Sequence, residues 1–214
     1  MNFSQGIAHQ KRLDSLTSFV PGVQEALLEL VKGNYRFINN KLEHPRQGAD
    51  RRMETLEGQN PFAIILTCSD SRVPPEIIFD VGIGDLFVVR TAGNLLDDVA
   101  LGSIEYAVEH LSTPLLLVMG HQQCGAVKAA CEKAQGKQGE GESGRILVEK
   151  LQPAVEIAQQ LPGDLEINAV NANIAIVANQ LMVSEPILKE YIQLGKLEIL
   201  SARYDLDSGV VSLL

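Results

Sequence analysis

Two short stretches carry side chains that could do chemistry together, Cys68-Ser69-Asp70-Ser71-Arg72 and His121-Gln122-Gln123-Cys124. Two thiolates and one imidazole are a donor set that suits Zn²⁺ in a tetrahedral site. A structural zinc site would normally offer four protein donors from paired Cys-x-x-Cys or His-x-x-x-His units. Here Cys68, His121 and Cys124 are the evident soft donors, and the fourth position is left for water. That is the composition of a catalytic centre, with one zinc per chain. Asp70 and Arg72 follow Cys68 at spacings of two, so in an extended chain all three side chains point the same way. A carboxylate beside an open metal position accepts a hydrogen bond from bound water, or occupies the position itself as a fourth ligand. Arg72 offers a planar fork to hold that carboxylate, although an ordinary salt bridge is the competing reading. Thiolates donate charge, so such a zinc acidifies water less than a tris-imidazole site would, and a fixed acceptor compensates.

For these residues to meet, the chain must bring two strand ends together. Residues 62–67 form a short apolar run after Pro61 that reads as a buried strand, as do 86–89, 115–119 and 197–202. Helical spacing separates them, over 99–111, 126–134, 145–161 and 167–181. Strands alternating with helices predict an α/β fold, a mostly parallel sheet flanked by helices on both faces. Cys68 closes the first strand, and His121 follows the third. Ligands gather at the carboxyl ends of parallel strands, so both positions suit a shared ion. Cys124 falls in the first turn of the next helix. The turn signal Asp207-Ser208-Gly209 predicts an edge strand over 210–213. Gly82-Ile83-Gly84 lacks the setting of a nucleotide motif and reads as a turn, and the Gly-rich stretch 136–144 reads as a loop. Helical spacing over 23–41, with a second short helix over 51–57, precedes the first strand. The predicted division is therefore an N-terminal segment and helical arm over 1–60, packing on a partner subunit, and a zinc-binding α/β catalytic domain over 61–214.

Composition sets outer bounds. A chain of 214 residues with 45% hydrophobic and 21% charged residues is an ordinary globular protein. A net charge of −9 gives no electrostatic basis for nucleic acid or an anionic membrane surface. No apolar run has the length of a signal peptide core or a membrane span. Three cysteines do not make a disulfide framework. Thiolates kept for a metal fit a reducing compartment, so the reading is cytoplasmic, with a periplasmic mature form as the alternative. Cys131 reads as a small buried apolar residue, and His9, His44 and His110 as surface or packing residues.

At these residues the chain resembles the β-class carbonic anhydrases. The resemblance runs through Cys68-Ser69-Asp70-Ser71-Arg72-Val73-Pro74, Phe87-Val88-Val89-Arg90-Thr91-Ala92-Gly93-Asn94, Ile104-Glu105-Tyr106-Ala107-Val108 and Gly120-His121-Gln122-Gln123-Cys124-Gly125-Ala126. It extends from about residue 23 to the C-terminus. It implies reversible hydration of CO₂ to bicarbonate and a proton by zinc-bound hydroxide, with Asp70 and Arg72 as the catalytic pair. It also implies homodimers that often pair further into tetramers or octamers. Gln59 matches a glutamine that hydrogen-bonds substrate in the plant-like subgroup. Phe87, Ala92 and Tyr106 match its apolar pocket positions, with Ala92 smaller than the usual valine, and the backbone at Gly125 would face substrate. The other subgroup closes its site with bicarbonate held by a tryptophan; Ile65 stands at that position, and the chain has no tryptophan. The resemblance thus implies the plant-like subgroup. No proton shuttle is assigned. Two other readings compete, a carbon disulfide or carbonyl sulfide hydrolase on the same scaffold and a non-catalytic zinc-stabilised scaffold. Asp70, Arg72 and Gln59 argue against the scaffold, which needs only the ligands.

Overall fold

A computed structural model describes residues 20–137 and 144–214. Strand β1, Ala63–Cys68, and strand β3, Leu115–His121, are buried along their whole length. Continuous apolar runs of this kind arise where helices cover both faces of a sheet. Strand β2, Leu86–Thr91, alternates less clearly and is half exposed, because it forms one edge. Strand β4 is Glu198–Tyr204 and β5 is Val211–Leu213. The order is β2-β1-β3-β4-β5, parallel throughout except for β5, which returns antiparallel to β4.

The two faces divide by strand parity. Ile64, Leu66, Cys68, Leu116 and Val118 face one core. It is closed by α4 (Asp98–Leu111), α5 (Gly125–Ala134), α6 (Arg145–Ala158), α7 (Leu165–Met182) and α8 (Ile187–Gln193). Helix α4 begins where Asp97 accepts a hydrogen bond from Ala100 N, and α7 where Asp164 accepts one from Ile167 N, as N-caps do. Ala63, Ile65, Leu115, Leu117 and Met119 face the other core. Its cover comes from α1 (Val23–Ile38) and the short α3 (Pro75–Ile78), while α2 (Ala49–Glu54) buries nothing.

This layout corrects one expectation. The apolar stripe of α1 was expected to lack a place in its own sheet fold and so to reach a partner. Instead Val23, Ala26, Leu27 and Leu30 are buried against their own domain, because the second face of a parallel sheet also needs cover and the four-residue α3 is too short to supply it alone. The approach is close: a Cβ at Gly33 would stand 1.6 Å from the carbonyl oxygen of Phe79. Helix α1 therefore shares a core with the sheet. What lies open is the following segment, where Met53 and Leu56 are 66% and 71% exposed. Helices α3 and α8 were not anticipated, being too short to show a period. Residues 1–19, with His9, lie outside the described residues, as does most of the Gly-rich stretch 136–144. No helix among the described residues is long and apolar enough to cross a membrane.

Candidate metal centre and active site

β1 and β3 are parallel neighbours, so their carboxyl ends lie side by side and bring Cys68 next to His121. Cys124 is the residue before the first turn of α5. The donor atoms of Cys68, His121 and Cys124 all lie within 4.8 Å of one another, and all three residues are buried. The two sulfurs are 3.9 Å apart. Two thiolates at the usual Zn–S length of about 2.3 Å and a tetrahedral angle would stand about 3.8 Å apart.

The imidazole is oriented for coordination. His121 Nδ1 lies 2.8 Å from the carbonyl oxygen of Gln122. A carbonyl only accepts, so Nδ1 carries the proton and Nε2 the lone pair. Nε2 is buried and has no hydrogen-bond partner among the described residues. An orphaned buried acceptor costs free energy unless something binds it, and a cation between the two sulfurs would do so. The donor set fits a metal ion on these grounds.

Electrostatics favour thiolate at Cys68. Its thiol is pulled well below the usual range, first by the hydrogen bond from Cys124, against the opposing effect of burial. His121 and the N–H groups of Asp70 and Gly93, 3.4 and 3.3 Å from Cys68 Sγ, add to this. The same pairing and burial push Cys124 upward, so Cys68 is the readier thiolate of the two. The N–H groups of Val127 and Ala126 at the start of α5 pull Cys124 the other way, as helix N-termini do.

Gly93 reaches Cys68 through a 3-10 turn, Ala92–Asn94, that follows β2. Its φ of 66° is one that glycine adopts freely. The buried amide of Asn173 on α7 holds this turn by donating to the Gly93 carbonyl at 2.8 Å.

Beside the donors, Arg72 grips Asp70: Nε donates to Oδ1 at 3.0 Å, Nη2 to Oδ2 at 2.7 Å, and the Arg72 backbone N–H to Oδ1 at 2.9 Å. The guanidinium holds the Asp70 carboxyl well below the usual carboxylate range. Arg90 fixes the same loop from β2, donating from Nε to the Cys68 carbonyl at 3.0 Å and from Nη2 to the Asp70 carbonyl. A cavity of about 370 Å³ opens here. Its lining includes Cys68 and Asp70 of the candidate site, and Ala126, Ala129, Leu147 and Val148 add apolar surface from α5 and α6.

Residues 63–211 match the carbonic anhydrase family. The fold is similar to the β-carbonic anhydrase CafA of the fungal pathogen Aspergillus fumigatus, with a TM-score of 0.67 and 27% identity over 86% of this chain and 88% of that one. The chain belongs to the β-class carbonic anhydrases. It is also 42% identical over 184 residues to carbonic anhydrase 2 of Mycobacterium tuberculosis, covering 84% of this chain and 87% of its relative. A tetrameric β-carbonic anhydrase of Sordaria macrospora shares the fold at 24% identity and a TM-score of 0.68, over 86% of this chain and 94% of that one.

Against that family, the residues singled out by sequence fall into two groups. Cys68, Asp70, Ala92 and Gly125 line one cavity, with His121 and Cys124 clustered on Cys68 and Arg72 bonded to Asp70. Gln59, Phe87 and Tyr106 do not line the cavity of this carbonic anhydrase chain. Gln59 is exposed. Phe87 and Tyr106 pair across β2 and α4 with ring centroids 6.3 Å apart, and Tyr106 is 49% exposed. Ile65 is fully buried in the core under α1. Cys131 is a buried core residue whose thiol burial pushes up to about 11, while His44 and His110 are exposed. Sequence reasoning missed the Gly93 N–H, Asn173, the Gln122 carbonyl and the apolar wall on α5 and α6. An amide amid the apolar run of α7 was the one available signal for Asn173.

Proposed function

We propose that this enzyme is a zinc-dependent carbonic anhydrase of plant-like type, with Cys68, His121 and Cys124 as the protein ligands. The observation that carries the reading is the buried, unpartnered His121 Nε2 facing two sulfurs at tetrahedral spacing, beside a carboxylate already held by an arginine. Zinc, when held there, supplies a Lewis acid that makes water a usable nucleophile near neutral pH.

The chain's own residues do the rest. Asp70 is ionised across the neutral range and presents Oδ2 toward the ligand side, 3.9 Å from His121 Nε2. There it accepts the proton of the attacking water as a hydrogen bond and orients its lone pair. Arg72 occupies both Asp70 oxygens and so keeps that carboxylate from serving as a fourth ligand. Ala92, Ala126, Ala129, Leu147 and Val148 offer an apolar linear substrate a dry wall. The N-terminus of α5, at Gly125, faces the charge that develops as bicarbonate forms.

Gln59, Phe87 and Tyr106 enter this scheme through a second subunit. β2 is a sheet edge with half-exposed apolar residues, and Val99 and Tyr106 are exposed on α4 beside it. An open edge of this kind invites pairing. A homodimer formed there, with the exposed residues 56–60 reaching the neighbour beyond α2, which Arg51 ties to its own chain at the Ile83 carbonyl, would deliver a Gln59 amide to each cavity and dry its mouth. A pair of reduced thiolates suits a cytoplasmic setting. X-ray absorption at the zinc edge tests the ligand set: two sulfurs, one imidazole nitrogen and one light atom are expected. Four light-atom ligands would overturn it.

A further inference from the structure

The carbonyl that orients His121 belongs to a residue fastened from outside the metal loop. Gln122 N–H donates to the Tyr204 carbonyl at 2.9 Å. Its side-chain Oε1 accepts from Leu206 N at 3.2 Å, and its Nε2 donates to Asp207 Oδ2 at 3.3 Å. Only this amide orientation satisfies both partners, since Leu206 N–H needs an acceptor and the carboxylate needs a donor. All three attachment points lie at or after the end of β4, in the turn to β5.

That turn is rigid in its own right. Asp205 Oδ1 accepts from Ser208 N and Ser208 Oγ at 2.8 Å each and from Asp207 N at 3.1 Å. The buried amide of Asn34 on α1 donates to the Gly209 carbonyl at 2.8 Å and accepts from Val211 N at 3.0 Å. The metal loop has fewer other anchors, among them the bond from Arg72 Nη2 to the Gln123 carbonyl at 3.3 Å. Gln123 has a φ of 55°, in the left-handed region that few non-glycine residues adopt. A loop held in that conformation relaxes if its fastening goes, whereas the turn keeps its other anchors.

We propose that the β4–β5 turn is an outer part of the metal centre and that Gln122 is its positioning residue. Its side chain latches onto Leu206 and Asp207, which fixes the carbonyl that aims His121, and so sets how tightly the site holds zinc. The inference rests on the zinc reading above. Outer-shell partners of a metal-bound histidine influence affinity because they fix its ring and tautomer. Here that influence would run from the last strand of the sheet to the ligand.

The test is a charge-to-amide exchange in the full-length protein, read as zinc affinity by competition with a chromophoric chelator. Gln122→Glu keeps the shape and the acceptor for Leu206 N–H but sets a carboxylate against Asp207. It should weaken zinc binding about tenfold or more, as should Gln122→Ala. Gln122→Glu combined with Asp207→Asn again faces a donor with an acceptor and should restore the parent affinity. The cobalt-substituted absorption spectrum should shift in the single variants and return in the double one, while the thermal midpoints of the zinc-free proteins change little. Parent-like zinc affinity in the folded single variants, or no recovery in the double variant, would overturn the proposal and leave the zinc reading standing. A parent protein that holds no zinc dependent on His121 would overturn both.

Discussion

Asp70 Oδ2 lies 2.7 Å from Arg72 Nη2 and 3.9 Å from His121 Nε2. The carboxylate thus stands at the edge of the ligand set, bonded to the guanidinium. Arg72→Ala removes that hold, would let the carboxylate serve as a ligand to a zinc held by Cys68, His121 and Cys124, and should remove most CO₂ hydration while zinc content stays at the parent level. Asp70→Asn should also keep zinc and lose most activity, because an amide nitrogen turned toward water donates where the carboxylate accepts. Stopped-flow rates at the parent level in both variants would reduce the pair to a structural salt bridge.

The same pairing sets a sign for pH dependence. The folded-state pKa of Asp70 is depressed, chiefly by the Arg72 hydrogen bond, so its contribution to stability is present above the unfolded value of about 3.9. That contribution is lost as pH falls through the lower folded value. Acid unfolding of the parent should therefore shift to higher pH in Arg72→Ala. Coincident acid transitions, followed by circular dichroism, would contradict this.

Asn173 should matter beyond its size. Its amide is the donor for the Gly93 carbonyl, and the Gly93 N–H donates to Cys68 Sγ. Asn173→Leu leaves that carbonyl buried without this donor, at a cost of about 1–3 kcal/mol, readable in urea unfolding. Asn173→Asp should cost at least as much, because an acceptor then faces an acceptor. Parent-like urea unfolding in either variant would show that the bond to the Gly93 carbonyl carries no such weight.

How far this could be read from sequence depends on what each residue touches. The clustering of Cys68 with His121 was legible because both sit at strand ends and parallel strands bring such ends together. Short apolar runs alternating with helical spacing made the sheet legible as well. The place of α1 was not, since an amphipathic stripe shows that a face will be buried and not which surface buries it. Asn173 and Gln122 were hard to single out for a related reason: Asn173 acts on a backbone carbonyl and Gln122 on a backbone N–H and a carboxylate distant in sequence, so their partners leave no local pattern. Gln59, Phe87 and Tyr106 came from resemblance alone, and within one chain they stay outside the cavity.

That separation makes the dimer testable. Met53 and Leu56 are exposed and α2 buries nothing, so Met53→Ser with Leu56→Ser should leave the monomer folded and weaken association. Deleting everything before Pro61 would be uninformative, because α1 is core. Gln59→Ala should lower kcat/KM with zinc content unchanged. Sedimentation showing parent-like association in the double serine variant would place the interface elsewhere.

The most direct test of the central claim is stopped-flow CO₂ hydration on protein whose zinc has been counted. The account predicts one zinc per chain, rapid hydration that disappears on chelation and returns with zinc, and neither zinc nor activity in His121→Ala. Zinc at the parent level in His121→Ala, or fully metallated parent protein that fails to hydrate CO₂, would contradict it.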